Sequence, residues 1–132
     1  MISWDKTITT REAKQMNAVV LAFVGDAVFT LYVRKKLSLT GDFKTGELNK
    51  RASQEVSAHG QSMLTDELLT KLNEDELAIF HRGRNAKKPT KSKNASVAEY
   101  NRSTGFEAVI GYLYLTGQTE RIDELLEQND AD

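Results

Sequence analysis

The stretch LAFVGDAVF, from Leu21 to Phe29, sets the main constraint on how the rest of the chain folds. It lies inside a run from Ala18 to Val33 in which Asp26 is the only strongly polar side chain. A carboxylate in apolar surroundings loses hydration worth several kcal/mol unless a cation or good hydrogen bonds replace the water. We therefore expect a partner for Asp26, and the chain could supply a basic side chain, a second acid that shares a metal ion with it, or neither.

Length and composition predict one globular domain that spans residues 1–132. Hydrophobic residues make up 39% of the chain and charged residues 28%, which is ordinary for a globular protein. The absence of cysteine excludes disulfides and thiolate metal sites and agrees with a reducing cytoplasm. The N-terminus shows no secretory signal, and the apolar run of 16 residues is shorter than the roughly 20 that a membrane span needs. We expect a cytoplasmic protein without a membrane segment.

Apolar residues recur at three- and four-residue spacings along most of the chain, which predicts an all-α fold. Asn73 with Glu76, and Ser96 with Glu99, have the spacing of capping boxes that begin helices. The segment Leu37 to Lys44 contains Gly41 and Asp42 and is predicted to be a loop. The predicted helices are Thr10 to Lys36, Glu47 to Ala58, Gln61 to Leu72, Asn73 to Phe80, Val97 to Thr116 and Thr119 to Gln128.

The second strongly apolar helix also carries one acid, Glu107, within FEAVIGYLYL. Small residues flank both acids and allow two helices to cross closely, so we expect Asp26 and Glu107 to face each other. Two such carboxylates repel unless a proton or a divalent cation joins them. A site made of oxygen ligands suits Mg²⁺ better than Zn²⁺. The alternative, that each acid pairs separately with Lys or Arg, remains open from spacing alone.

Charge is distributed unevenly along the chain. Between His81 and Arg102 there are seven basic residues and one acid, a net charge of +6, whereas the remainder has 11 basic and 18 acidic residues, a net of −7. A locally basic surface of this kind indicates a polyanionic partner, although a solvated loop without a ligand is the simpler alternative. The candidate residues for contact with such a partner are Arg82, Arg84, Lys87, Lys88, Lys91 and Lys93.

Both acidic stretches resemble those of a known family. Phe23 to Val28 (FVGDAV) is similar to the signature of the ribonuclease III catalytic domain, and Phe106 to Gly111 (FEAVIG) resembles its second acidic motif. The order of the motifs, their separation and the helical pattern agree, so the resemblance covers nearly the whole chain. The length resembles the short, or mini, form of the family, which consists of the catalytic domain alone.

The resemblance implies a Mg²⁺-dependent endoribonuclease that cleaves double-stranded RNA and leaves 5′-phosphate ends. It assigns catalysis and metal binding to Asp26 and Glu107, and it implies that RNA is the polyanion bound by the six basic residues Arg82, Arg84, Lys87, Lys88, Lys91 and Lys93. It also implies a homodimer formed by the signature helices around Phe23, with a 23S ribosomal RNA precursor as substrate and a ribosomal protein as a candidate helper. Family members usually carry two further acids, where this chain has Ala22 and Thr104. A non-catalytic RNA- or ribosome-binding module, or a helical dimerisation module, remains an alternative.

Overall fold

A computed structural model describes residues 2–41, 44–87 and 96–127 of the chain. These residues form seven α-helices and no strand, which confirms the predicted all-α fold. None of the helices described is both long and apolar enough to cross a membrane. The helices are α1 (Thr10–Gln15), α2 (Ala18–Thr40), α3 (Thr45–Val56), α4 (Ala58–Leu69), α5 (Glu74–Asn85), α6 (Val97–Leu115) and α7 (Thr119–Leu126).

Helix α6 is the centre of the molecule, because it packs against α1, α2, α4, α5 and α7. Its inner part, from Phe106 to Leu115, is apolar on nearly every face, and Phe106, Val109 and Ile110 have no exposed surface. The Phe106 ring meets Phe29 of α2 edge to face, with ring centroids 5.0 Å apart. The core is therefore organised around α6, and α2 is its most extensive neighbour.

The starts of α5 and α6 are set by the two predicted capping boxes. The Asn73 side chain accepts a hydrogen bond from the Glu76 backbone N–H, and the Glu76 side chain accepts one from the Asn73 backbone. Ser96 and Glu99 make the same reciprocal pair at the start of α6. Both predicted helix starts are confirmed, because the local polar groups determine them without help from tertiary contacts.

The prediction of a single helix from Thr10 to Lys36 is wrong in two respects: the helix is interrupted at residues 16–17, and its second part extends beyond Lys36. Asn17 begins a new helix, since its side chain accepts a hydrogen bond from the Val19 backbone N–H at 2.8 Å. The same helix continues through residues 37–40, which were predicted to be loop. The hydroxyls of Ser38 and Thr40 donate to carbonyls one turn earlier, so these polar side chains are satisfied inside the helix.

Helices α2 and α6 touch through their main chains. A Cβ atom added to Gly25 would lie 1.7 Å from the Glu107 carbonyl oxygen, and one added to Gly111 would lie 1.9 Å from the Leu21 carbonyl oxygen. No side chain larger than hydrogen fits at either position without moving the helices apart. The crossing therefore brings the backbone beside Asp26 directly against the backbone of Glu107.

A buried ion pair joins α5 to α7 elsewhere in the molecule. Glu76 is 1% exposed, and its two carboxylate oxygens accept hydrogen bonds from the Arg121 guanidinium at 2.8 and 2.9 Å. Arg121 also donates to the Lys71 backbone carbonyl at 2.7 Å. Burial by itself raises the pKa of Glu76, but the hydrogen bonds from Arg121 and from the Asn73 backbone hold the pKa below its ordinary value.

Candidate active site

The crossing of α2 and α6 brings Asp26 and Glu107 together, as their spacing and small neighbours predicted. Burial, followed by the hydrogen bond and the negative charge of Asp26, raises the pKa of Glu107 from 4.5 to about 9. Hydrogen bonds from Gln61 and Ser103 lower it in part. The pair therefore carries electrostatic repulsion that a proton relieves in this state, and that a cation between the acids would also relieve.

The expectation that Asp26 lies in apolar surroundings is wrong in the described chain. Asp26 is exposed, because one side of α2 faces outwards. That side also carries Val20, Phe23 and Leu31, which are 45%, 80% and 59% exposed. Desolvation instead affects Glu107, which is partly buried against the core. The site thus has one acid open to solvent and one held within the protein.

Sequence reasoning missed two polar neighbours of Glu107. Gln61 of α4 is 2% exposed, and its amide nitrogen lies 3.5 Å from Glu107 Oε2. The Ser103 hydroxyl donates to the Gln61 side-chain oxygen. Ser103 stands four residues before Glu107 on α6, a spacing that places both on one helix face and was the available signal. No local pattern marks Gln61, because its contact with Glu107 depends on how α4 packs.

Separate pairing of the two acids with basic side chains is not what the structure shows. None of the ion pairs formed between described residues involves Asp26 or Glu107. Within residues 2–41, 44–87 and 96–127 there is also no group of three acidic or imidazole side chains that could hold a metal ion. The Ala22 side chain has no atom that could bind a metal ion, and the Thr104 hydroxyl donates a hydrogen bond to the Tyr100 carbonyl at 3.0 Å. The described protein ligands of a cation at this site would therefore be two carboxylates.

The donor set fits a hard divalent cation. Both acids offer oxygen atoms, which such ions prefer, and neither Cys nor His contributes. Asp26 is open to solvent, so water or phosphate oxygens have room to complete a coordination shell. Burial, and after it the neighbouring Asp26, raise the pKa of Glu107, and positive charge at this position would favour the ionised form against both.

The six basic residues predicted to bind RNA have different environments. Arg82 donates to the Lys14 and Met16 carbonyls at 2.8 and 2.6 Å, so its guanidinium caps the end of α1. The Arg84 guanidinium lies 6.0 Å from the centre of the Phe80 ring. Lys87 is exposed at the end of α5. The remaining three predictions, Lys88, Lys91 and Lys93, lie outside the described residues.

Two facing carboxylates, one of which closely follows a strongly basic segment in the sequence, define a class of protein that handles a cation and a polyanion together. Among enzymes, this combination is typical of metal-dependent phosphodiester hydrolases. Comparison with known proteins identifies the family within that class. Residues 19–118 match the model of the ribonuclease III domain.

Relatives of similar length share this match. The chain is 44% identical over 124 residues to "Mini-ribonuclease 3" of Brevibacillus brevis, covering 94% of this chain and 92% of that protein. It is 45% identical over 113 residues to "Mini-ribonuclease 3" of Streptococcus pneumoniae, covering 84% and 88%. A crystal structure of a protein from Fusobacterium nucleatum superposes with a TM-score of 0.77 at 32% identity, covering 85% of this chain and 89% of that one. The chain belongs to the ribonuclease III family, whose members are endoribonucleases that depend on a divalent metal.

Proposed function

We propose that this chain is a Mg²⁺-dependent endoribonuclease that cleaves double-stranded RNA in the maturation of a 23S ribosomal RNA precursor. The observation that carries the proposal is the pairing of Asp26 with Glu107 at the glycine-lined crossing of α2 and α6. Family membership supplies the reaction type, and the names of the relatives support a short-form enzyme. We place the protein in the cytoplasm, with a ribosomal protein as a candidate helper in presenting the substrate.

Asp26 and Glu107 are the residues that would hold Mg²⁺. When bound, the ion supplies Lewis acidity that activates a water nucleophile and neutralises charge on the reacting phosphodiester. Asp26 is exposed and would supply an oxygen ligand on the solvent side of the site. Glu107 is held against the core and supplies an oxygen ligand of fixed position. Hydrolysis would leave a 5′-phosphate and a 3′-hydroxyl.

A homodimer through α2 would cover the exposed apolar side of this helix. Val20, Phe23 and Leu31 lie at spacings of three and eight residues, so they follow one side of α2. Apolar side chains exposed together in this way mark a protein interface, and self-association through one patch gives a two-fold dimer. Because Asp26 is on the same helix, such a dimer would bring two active sites near its axis. Phe23→Glu is expected to yield monomers, measured by light scattering during size-exclusion chromatography.

The basic segment would hold the RNA beside the acids. Double-helical RNA is bound mainly through phosphates and 2′-hydroxyls, which cationic side chains contact without reading sequence. We assign this role to Arg84, Lys87, Lys88, Lys91 and Lys93, whereas Arg82 serves chiefly to hold α1. Replacing Lys87, Lys88, Lys91 and Lys93 by Ala is expected to weaken RNA binding at least several-fold and to reduce its salt dependence. Lys50→Ala, which removes an exposed charge from α3, is the matched control.

The decisive experiment incubates the protein with ribosomal precursor RNA and with plain duplex RNA, with and without Mg²⁺, and then analyses the new ends. We expect Mg²⁺-dependent cuts with 5′-phosphates in both substrates. Asp26→Asn should bind RNA but leave it intact, with an unchanged unfolding temperature. Undiminished cutting by Asp26→Asn would refute the assignment. Tight RNA binding without any cutting by the unmodified chain would favour the non-catalytic binding module, in which Ala22 and Thr104 replace acids needed for chemistry.

A further inference from the structure

Gln61 is a buried amide in a position that ordinary core packing does not explain. It is 2% exposed on α4, and an amide buried without hydrogen bonds would destabilise the fold. Its nitrogen donates to the Val56 carbonyl at 3.1 Å and faces Glu107 Oε2 at 3.5 Å. Its oxygen accepts a hydrogen bond from Ser103. Every polar atom of this side chain is therefore engaged, and one of its neighbours is the less exposed acid of the candidate active site.

The direction of the Gln61 amide follows from its partners. A backbone carbonyl can only accept, so the amide nitrogen must face Val56 and the amide oxygen must face Ser103. The nitrogen has two hydrogens, and with one directed to Val56 the other is free to point at Glu107. The network thus presents an N–H donor, not an acceptor, to the Glu107 carboxylate.

The close corner between α3 and α4 brings Gln61 to this place. A Cβ atom added to Gly60 would lie 2.5 Å from the Gln54 carbonyl oxygen and 2.7 Å from the Glu55 carbonyl oxygen. Only glycine at position 60 allows the first turn of α4 to pack so closely on the end of α3. The Ser57 side chain accepts a hydrogen bond from the Gly60 backbone N–H and begins α4 at this corner. The loop geometry therefore fixes the distance between Gln61 and the Val56 carbonyl.

We infer that Gln61, oriented by Ser103 and the Val56 carbonyl, is a positioning residue that holds the Glu107 carboxylate ready for the divalent ion. A carboxylate that accepts a hydrogen bond at one oxygen has a restricted rotation and keeps its other lone pairs for a cation. Partners of this kind, which contact a ligand but not the metal, typically contribute 10–100-fold to metal affinity. The inference rests on the proposed function, because it assigns Glu107 to the metal site.

Metal binding in the absence of RNA tests this role. Gln61→Met keeps the length and approximate volume of the side chain but removes both the donor and the acceptor. We expect calorimetric titration with Mn²⁺ alone to show binding weaker by about tenfold or more. Cleavage of duplex RNA should then recover as the Mg²⁺ concentration rises, because the defect lies in ion binding and the reacting groups remain. A purely structural role for Gln61 would lower the unfolding temperature without changing the Mn²⁺ affinity of the folded protein.

Thr65→Val is the matched control. Thr65 has no exposed surface and lies one turn further along α4, where its hydroxyl donates to a carbonyl of its own helix. Its replacement removes a buried hydroxyl near Gln61 without touching Glu107, so Mn²⁺ affinity should stay within about twofold of the unmodified protein. Ser103→Ala is a second variant, which frees the amide to turn and also removes the Ser103 hydrogen bond to Glu107, and it should weaken Mn²⁺ binding several-fold.

Three results would overturn the inference. The first is a folded Gln61→Met variant with unchanged Mn²⁺ affinity; if this variant does not fold, unchanged affinity in Ser103→Ala has the same meaning. The second is loss of Mn²⁺ affinity in Thr65→Val as large as in Gln61→Met, which would indicate a general packing effect. The third is equal Mn²⁺ binding by the unmodified protein and Glu107→Gln, which would remove the proposed metal site as well. If Glu107→Gln lost Mn²⁺ binding and Gln61→Met kept it, the inference about Gln61 would be wrong, and the proposed metal site would stand.

Discussion

Glu76 and Glu107 are two glutamates held against the core of one small protein, and their environments are opposite. Glu76 receives both arms of the Arg121 guanidinium and a backbone N–H from Asn73, and these contacts hold its pKa below the ordinary value. Glu107 faces Asp26, and burial together with that second acid raises its pKa to about 9. The first carboxylate is ionised and paired with a cation of the protein, whereas none of the ion pairs among the described residues supplies a cation to the second.

The difference separates an acid that stabilises the fold from an acid that we propose serves a reaction. A buried ion pair with complete hydrogen bonding fixes two helices and leaves no capacity for a further ligand. A carboxylate pair without a basic partner costs free energy of folding, and that cost is recovered when a cation binds. Perturbed pKa values of this kind cluster at functional sites, and here the direction of the perturbation tells the two apart.

Replacing each glutamate by glutamine should produce the largest effects, and the two variants should differ: one should lose RNA cleavage, and the other should lose stability. Glu107→Gln should lower the rate of RNA cleavage by about 10³-fold or more, because metal ions supply several kcal/mol of transition-state stabilisation. It should not lower the unfolding temperature, since it removes a repelling carboxyl. Glu76→Gln should lower the unfolding temperature while the folded fraction keeps its cleavage rate. Equal rate losses in the two variants would contradict the comparison.

Removing the partner of Glu76 should have the next largest effect. Arg121→Met leaves a carboxylate that is 1% exposed without its cation, and breaking such a pair costs about 3 kcal/mol of unfolding free energy. Urea denaturation measures this loss. Glu124→Gln removes only the exposed partner of the same arginine, and its effect should stay below about 1 kcal/mol.

Separating α2 from α6 should have a smaller effect on stability and should also disturb the acid pair. Gly25→Ala places a methyl group 1.7 Å from the Glu107 carbonyl oxygen, and overpacking of this kind costs about 1–3 kcal/mol. We expect Mn²⁺ affinity to fall together with stability, because the backbone beside each acid must move. Gly46→Ala in α3 is the control: an added Cβ there meets nothing within 4 Å, and the substitution should stabilise the helix by about 0.5–1 kcal/mol. Normal stability of Gly25→Ala would show that the crossing is not rigid.

The smallest expected effect is the pH dependence of the unfolding free energy, measured without metal. Glu107 keeps its proton in the folded state up to about pH 9, whereas the unfolded chain releases it near 4.5. Its contribution to stability is therefore complete below about pH 4.5 and is lost as the pH rises towards 9. Between about pH 6.5 and 7.5 the unfolding free energy should fall by at most about 1.4 kcal/mol per pH unit relative to Glu107→Gln. A difference between the two proteins that does not change with pH would show that Glu107 is already ionised.

Local sequence signals predicted much of the fold. The capping boxes at Asn73 and Ser96 are satisfied by neighbouring residues, so their helices begin where the sequence indicates. The run of apolar residues in the inner part of α6 correctly predicted the central helix. The break at Asn17 was missed, although its side chain is a good helix cap, because the apolar periodicity continues on both sides of it. The pairing of Asp26 with Glu107 was predicted from the small residues beside them.

Other features depend on contacts that a sequence pattern does not encode. The exposure of Asp26 could not be predicted, because a helix that is apolar on all faces gives the same pattern whether it is buried or has one side open, as around Phe23. Gln61 lies 46 residues before Glu107, and only the packing of α4 brings them together. The RNA-binding role of Arg82 stays a prediction, and its hydrogen bonds to carbonyls at the end of α1, far away in the chain, had no signal in the sequence.

The contact through Gly25 and Gly111 has a consequence for how this enzyme tolerates change. The distance between the carboxylates of Asp26 and Glu107 is limited by the thickness of two peptide backbones in van der Waals contact, a dimension common to all proteins. Drift in the aliphatic side chains of the interior can thus alter the melting temperature while the spacing of the acids persists. Gly25 and Gly111 therefore fix the separation of the two acids, and most mutations that the core accumulates should leave the chemistry of this molecule unchanged.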